Sequence, residues 1–216
     1  CQVTAACVAG TDLEKMRQLP DTTGMKNEVI TQPSHRHIYD HAIRMVGATM
    51  VEAETLDDLK AAVSERTALF AIFGDAADRG TISIPEIVAV AREHDIPTLV
   101  DAAAERPDVP NRYLADGVDV VGYSGGKCLR GPQASGLVMG KKEILQAAFA
   151  NGAPHHSLGR PMKAGKEEIM GLLAAVGKWA ERDHDAEWKR WEHRLQVITD
   201  AVSDIDSVKT EVRQPG

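Results

Sequence analysis

The chain has no Cys-x-x-Cys pair, and its three cysteines, Cys1, Cys7 and Cys128, are an odd number. A disulfide framework and a cysteine-based zinc site are therefore disfavoured, and a reducing cytoplasm is the expected compartment. No apolar run approaches the roughly 20 residues that span a bilayer, and no stretch has the pattern of a signal peptide. Bases are outnumbered by acids: the formal net charge is −7. That balance argues against a broad nucleic-acid surface and leaves room only for a local basic patch. Internal repeats and low-complexity tracts are absent. An initiating Met is also lacking. The chain opens at Cys1, in an Ala- and Val-rich stretch to Gly10 that reads as the tail of a buried helix. It stops at Gly216, after what looks like the entry to a strand (Ser207 to Val212), and reads as a piece of a longer protein.

What is present suits a globular α/β domain: 43% hydrophobic and 26% charged residues over 216 positions,. Short apolar runs at Glu28–Thr31, Leu69–Phe73, Thr98–Val100 and Val118–Tyr123 read as buried parallel strands. Helical patterns separate them. Tyr39–Val46 stops at Gly47. Leu56–Ser64 follows Thr55, an N-cap with Asp57 and Asp58 in the first turn. Ile84–Glu93 has Pro85 in its first turn and an apolar face of Ile84, Ile87, Val88 and Ala91. Ala134–Met139 follows the last parallel strand so closely that an antiparallel return is expected. From Ala164 to Val202 the pattern is helical, as two helices or one bent near Arg182–Asp185. A mostly parallel sheet is expected in residues 1–160. Residues 161–216 would hold connecting helices and the start of a small C-terminal α/β domain.

Parallel sheets bind ligands beyond the carboxyl ends of their strands. Two such ends carry chemistry. Asp101 follows Thr98–Val100, and Ser-Gly-Gly-Lys, 124–127, follows Val118–Tyr123. Pyridoxal 5′-phosphate chemistry needs a lysine to form a Schiff base, a carboxylate to keep the pyridine nitrogen protonated, and donors for the phosphate. Lys127 and Asp101 meet the first two needs, and Ser124 offers a hydroxyl for the third. Each also has a plainer reading: a surface lysine, a helix N-cap and a turn serine. Together they persuade more, because they lie 26 residues apart, one crossover unit. Cys128 reads as packed rather than reactive.

The run Ser124-Gly-Gly-Lys-Cys-Leu-Arg-Gly-Pro-Gln-Ala-Ser-Gly136 resembles the lysine motif of fold-type I pyridoxal-phosphate enzymes. More narrowly, it is similar to the group of L-seryl-tRNA(Sec) selenium transferase and D-glucosaminate-6-phosphate ammonia-lyase. Val100-Asp-Ala-Ala-Ala-Glu105, His35-Arg-His-Ile-Tyr-Asp-His-Ala-Ile-Arg-Met-Val-Gly47 and Gly159-Arg-Pro-Met-Lys-Ala-Gly-Lys-Glu-Glu168 agree with it. The resemblance implies a seven-stranded large domain, a smaller C-terminal domain, and a homodimer or higher assembly whose sites draw on both subunits. It implies a Schiff base on Lys127, Asp101 at the pyridine nitrogen, and cofactor contacts at Ser124 and Ala103. The phosphate-holding turn would lie before Cys1. The Ala-rich run after Asp101 sides with the ammonia-lyase branch. That implies a lyase acting on an amino acid or amino sugar acid, with the selenium-transferase reaction on seryl-tRNA, or a catalytically inactive binding protein, as alternatives. The acidic balance favours a small-molecule substrate over tRNA.

Further residues are open at this stage. Arg160, Lys163 and Lys166 either grip an anionic substrate group or begin a solvated helix, with Lys163 and Lys166 on one face. His35, Arg36, His37 and Tyr39 follow a strand. They either face the cleft, where a histidine would stack on the cofactor or move protons, or form a polar loop and cap. His155 and His156 lack an identifiable third ligand, so no metal site is expected.

Overall fold

A computed structural model describes residues 1–213. It resolves into two compact units, Cys1–Val176 and Gly177–Gly216. The first opens with α1 (Gln2–Ala9), whose small side chains are buried on nearly every side, and α2 (Leu13–Gln18), capped by Asp12. Next come β1 (Glu28–Thr31), the short α3 (His41–Arg44), β2 (Thr49–Glu52), α4 (Leu56–Ala62) and β3 (Thr67–Phe73). They are followed by α5 (Ile84–Glu93), β4 (Thr98–Asp101), α6 (Arg112–Ala115), β5 (Val120–Ser124), β6 (Gly136–Gly140) and α7 (Lys142–Ala150). Two long helices, α8 (Lys166–Glu181) and α9 (His184–Val202), end the ordered elements.

The strands form one sheet in the order β2-β1-β3-β4-β5-β6. The first five run parallel, and β6 returns antiparallel on β5, with Val121 opposite Met139. This is the mostly parallel sheet of an α/β fold; the described residues contain six strands rather than seven. β3 lies at the centre, every residue buried, and its Thr-Ala-Leu-Phe-Ala-Ile-Phe run is what two covered faces require. One face is packed by α1 with Ile43 and Val46, and α7 closes against α1 and Val120 through Ala147 and Ala148. α4 and α5 begin with reciprocal capping boxes, Thr55 with Asp58 and Ser83 with Glu86, each satisfying two otherwise orphaned N–H groups.

One strand was not read from the sequence, and two expectations meet a different outcome. β2 has no clear sequence signal because it is an edge strand: Thr49 and Glu52 are exposed, so no apolar run marks it,. Ser207 to Val212 forms no strand. These residues are exposed, and no neighbouring strand pairs with their backbone groups among the described residues,. Lys163 and Lys166 do not share a helix. Lys163 caps a 3-10 turn, Arg160–Met162, and α8 starts at Lys166. The expected break in the long helical stretch falls between α8 and α9, where Asp183 caps α9 by accepting the Ala186 N–H at 2.9 Å. Among the described residues no helix is long and apolar enough to cross a membrane.

Candidate active site

The carboxyl ends of β3, β4 and β5 stand side by side, since Phe73 pairs with Asp101 and Asp101 with Gly122. Beyond them lies a cleft of about 330 Å³. Asp101, Ala103, Ser124 and Lys127 all line it. Asp101, Ala103 and Ser124 also line an adjoining hollow of about 400 Å³ that runs over Tyr123, Ser135 and Met162. A larger hollow of about 620 Å³, around Asp21–Asn27, Glu65 and Arg66, lies at the amino ends of β1 and β3. Ligand sites of open parallel sheets lie at the opposite end.

Each candidate is held by local geometry. Asp101 is half-buried, and its Oδ1 accepts the Ala103 N–H at 3.1 Å, which orients the carboxylate. The turn after it is stitched to the neighbouring strand end: Ala102 N–H donates to the Gly122 carbonyl at 2.9 Å, and Ser124 N–H to the Ala103 carbonyl at 3.4 Å. The Lys127 turn is closed by Arg130 N–H on the Lys127 carbonyl at 2.9 Å and Gly131 N–H on the Gly125 carbonyl at 2.7 Å. Gly126 leaves room for Gln133, whose Cα would lie 2.7 Å from a Cβ there. Lys127 itself is exposed and makes no ion pair among the described residues. Beside it, Cys128 donates to the Ala104 carbonyl at 3.4 Å. Burial pushes the Cys128 thiol up, with Arg106, Arg130 and Lys127 opposing.

The facing wall is aromatic. His37 stacks against Tyr39 and against Phe73, with centroids at 5.1 and 5.6 Å. Its Nδ1 accepts the Tyr39 N–H at 3.3 Å, which leaves Nε2 as the donor nitrogen, 3.9 Å from an Asp75 carboxylate oxygen,. His37, Tyr39, Phe73 and Asp75 all line the cleft. Phe73 and Asp75 were not singled out from sequence, although Phe73 ends β3 as Asp101 ends β4, and Asp75 lies two residues beyond.

Other candidates go elsewhere. His35 is buried, with Nδ1 accepting the Phe73 N–H at 3.2 Å. Burial, aided by Arg79, lowers its pKa. It braces the end of β3 from within, so His37 rather than His35 meets the cleft. Arg36 is exposed and commits its guanidinium to Asp40, at 2.7 Å, and to Glu52. Arg160 is half-buried and outside the cleft lining, and Lys163 and Lys166 are exposed. His155 packs edge-on against Phe149.

The chain is similar to several known proteins. The aminotransferase class-V family profile matches residues 37–212. A 5′-C-glycyluridine monooxygenase-decarboxylase from Streptomyces sp is 34% identical, over 94% of this chain and 52% of its own length. D-Glucosaminate-6-phosphate ammonia lyase from Salmonella typhimurium is 32% identical, over 97% of this chain and 57% of its own length. A solved structure of D-glucosaminate-6-phosphate ammonia-lyase superposes with a TM-score of 0.77 at 32% identity, covering 84% of this chain and 51% of that one. L-Seryl-tRNA(Sec) selenium transferase from Edwardsiella ictaluri is 30% identical, over 69% of this chain and 33% of its own. The chain spans about half the length, or less, of these curated relatives.

Proposed function

The chain belongs to the aminotransferase class-V family, whose relatives here are pyridoxal-phosphate-dependent enzymes, and from that membership we propose that it carries the cofactor site of a lyase. The lyase takes the Cα proton from an amino acid or amino sugar acid, expels a group from Cβ and releases ammonia. One observation carries the reading: Lys127 and Asp101 line a single cleft. When bound, pyridoxal phosphate supplies an electron sink for the charge that develops at Cα.

The residues present fit such a group. Lys127 offers an amine free of any ion pair among the described residues, the attachment point and then the general base at Cα,. Asp101, with Oδ1 steadied by Ala103, would use its other oxygen to keep a proton at the ring nitrogen,. Ser124 lines the cleft and would donate its hydroxyl to the phosphate. Ala103 is small enough to leave room for a ring, and His37, stacked on Phe73, would pack against it,. Among the described lining residues Lys127 is the one Lys or Arg, and its amine is committed to attachment. An anionic substrate group then needs a cation from outside the lining, for which Arg160 is our candidate. A homodimer or higher assembly in the cytoplasm is part of the proposal. Ile169, Met170 and Leu173 form an exposed apolar strip on α8 suited to a subunit contact,.

The test is a screen of the full-length protein against amino acids and phosphorylated amino sugar acids, following ammonia and keto-acid release. Release with one class, lost in Lys127→Ala, supports the lyase. Turnover that persists in that variant contradicts it. The selenium-transferase relative favours a second reading, in which a nucleophile adds to a tRNA-bound substrate. Steeply salt-dependent tRNA binding would support that reading, and no binding at low salt would exclude it.

A further inference from the structure

The inference rests on the proposed cofactor site and concerns what sets that site's width. Glu105 closes the turn after Asp101, with its N–H on the Ala102 carbonyl at 3.0 Å. Its side chain stands behind the cleft wall. Oε2 accepts the Tyr113 hydroxyl at 2.6 Å and an Arg112 N–H at 2.7 Å, both from α6. A carboxylate this enclosed is tolerated because a cation pairs with it. Oε1 is buried without a hydrogen-bond partner and presses on the backbone of Gly74. A Cβ at Gly74 would lie 1.6 Å from Oε1 and 2.9 Å from the Tyr113 oxygen. The Gly74 φ is not in the left-handed region, so a side chain at 74 would contest the space Glu105 fills rather than strain the backbone angle.

Gly74 separates Phe73 and Asp75, which both line the aromatic side of the cleft. The turn that ends at Glu105 carries Ala103 and Ala104 on the other side and is tied to the lysine loop through the Ala103 and Ala104 carbonyls. Glu105 therefore joins the two walls from behind. We propose that Glu105 is a positioning residue that sets the gap between the Phe73–His37 wall and Asp101. That gap fixes where a planar ring lies relative to Lys127. Nothing in the family match or the named relatives assigns this role.

The test uses the full-length protein with and without pyridoxal phosphate. Glu105→Ala weakens cofactor binding about tenfold, the usual weight of a lost charge-assisted contact, and alters the visible cofactor band. Glu105→Gln keeps the shape and the acceptor for Tyr113, and restores affinity and band to within about threefold. Gly74→Ala, which expels the same carboxylate, weakens binding by a similar factor. In the Glu105→Ala background it adds less than about threefold, because the severe 1.6 Å clash is gone and only the 2.9 Å approach to the Tyr113 oxygen remains,. Without cofactor, amides 74–79 and 102–105 exchange faster in Glu105→Ala and at the parental rate in Glu105→Gln. Unchanged affinity and exchange in Glu105→Ala, or full additivity with Gly74→Ala, overturns the inference. If the parent binds no cofactor yet the exchange pattern holds, the cofactor reading fails while the link between the walls stands.

Discussion

Asp101→Asn isolates charge from shape. Asparagine keeps an oxygen to accept the Ala103 N–H, now at 3.1 Å from Asp101 Oδ1, so the turn and the cleft outline persist. The negative charge opposite the proposed ring nitrogen is lost. Unit charges about 4 Å apart interact by about 4 kcal/mol at an effective dielectric constant of about 20. Asp101 is half-buried, and solvent screening lowers this to roughly 2–3 kcal/mol. Because that energy keeps the ring nitrogen protonated, and the protonated ring is the electron sink, turnover falls about 10²-fold. Cofactor affinity falls far less, because the ring, its phosphate contacts and the lysine attachment remain. Steady-state kinetics on the substrate found by the screen, paired with cofactor titration, separates the two. Turnover within about threefold of the parent, with cofactor bound, would refute the role of Asp101.

Three further outcomes follow. Leu69→Ala, in the fully buried β3 strand, lowers unfolding free energy by about 2–5 kcal/mol in urea titrations; a loss under about 1 kcal/mol would contradict the central position of that strand. Burial lowers the His35 pKa below its ordinary 6.5. The folded form therefore favours neutral imidazole, and its stability contribution is present above pH 6.5 and is lost as pH falls through the lowered folded value. Urea midpoints between pH 7.5 and 5.5 should fall less in His35→Gln than in the parent, and equal falls would refute this. Gly126→Ala drives a methyl into Gln133, so it should impair cofactor attachment while leaving the melting temperature within a few degrees; unimpaired attachment would show the lysine turn to be pliable.

The sheet was legible where two covered faces force continuous apolar runs. Glu28–Thr31 and Ile84–Glu93 emerge with the bounds read from the sequence. The edge strand β2 was not, since its half-exposed Thr-Met-Val-Glu run carries neither pattern. Asp101, Ser124 and Lys127 were legible as strand-end residues because their placement follows from topology alone. Choosing between His35 and His37 was not possible from sequence. A 3-10 turn, Pro33–His35, sends one ring inward and leaves the other at the cleft, and no apolar period marks such a turn. Arg36 and Glu105 were illegible for a related reason. Their partners, Glu52 and the Arg112–Tyr113 pair, are brought to them only by the fold.

Borohydride reduction of the full-length protein with its cofactor, followed by peptide mass spectrometry, tests the central claim most directly. The account predicts the pyridoxyl mass on the peptide holding Lys127 and on no other lysine. A modified lysine elsewhere, or no modified lysine in a protein that retains the cofactor, would contradict it.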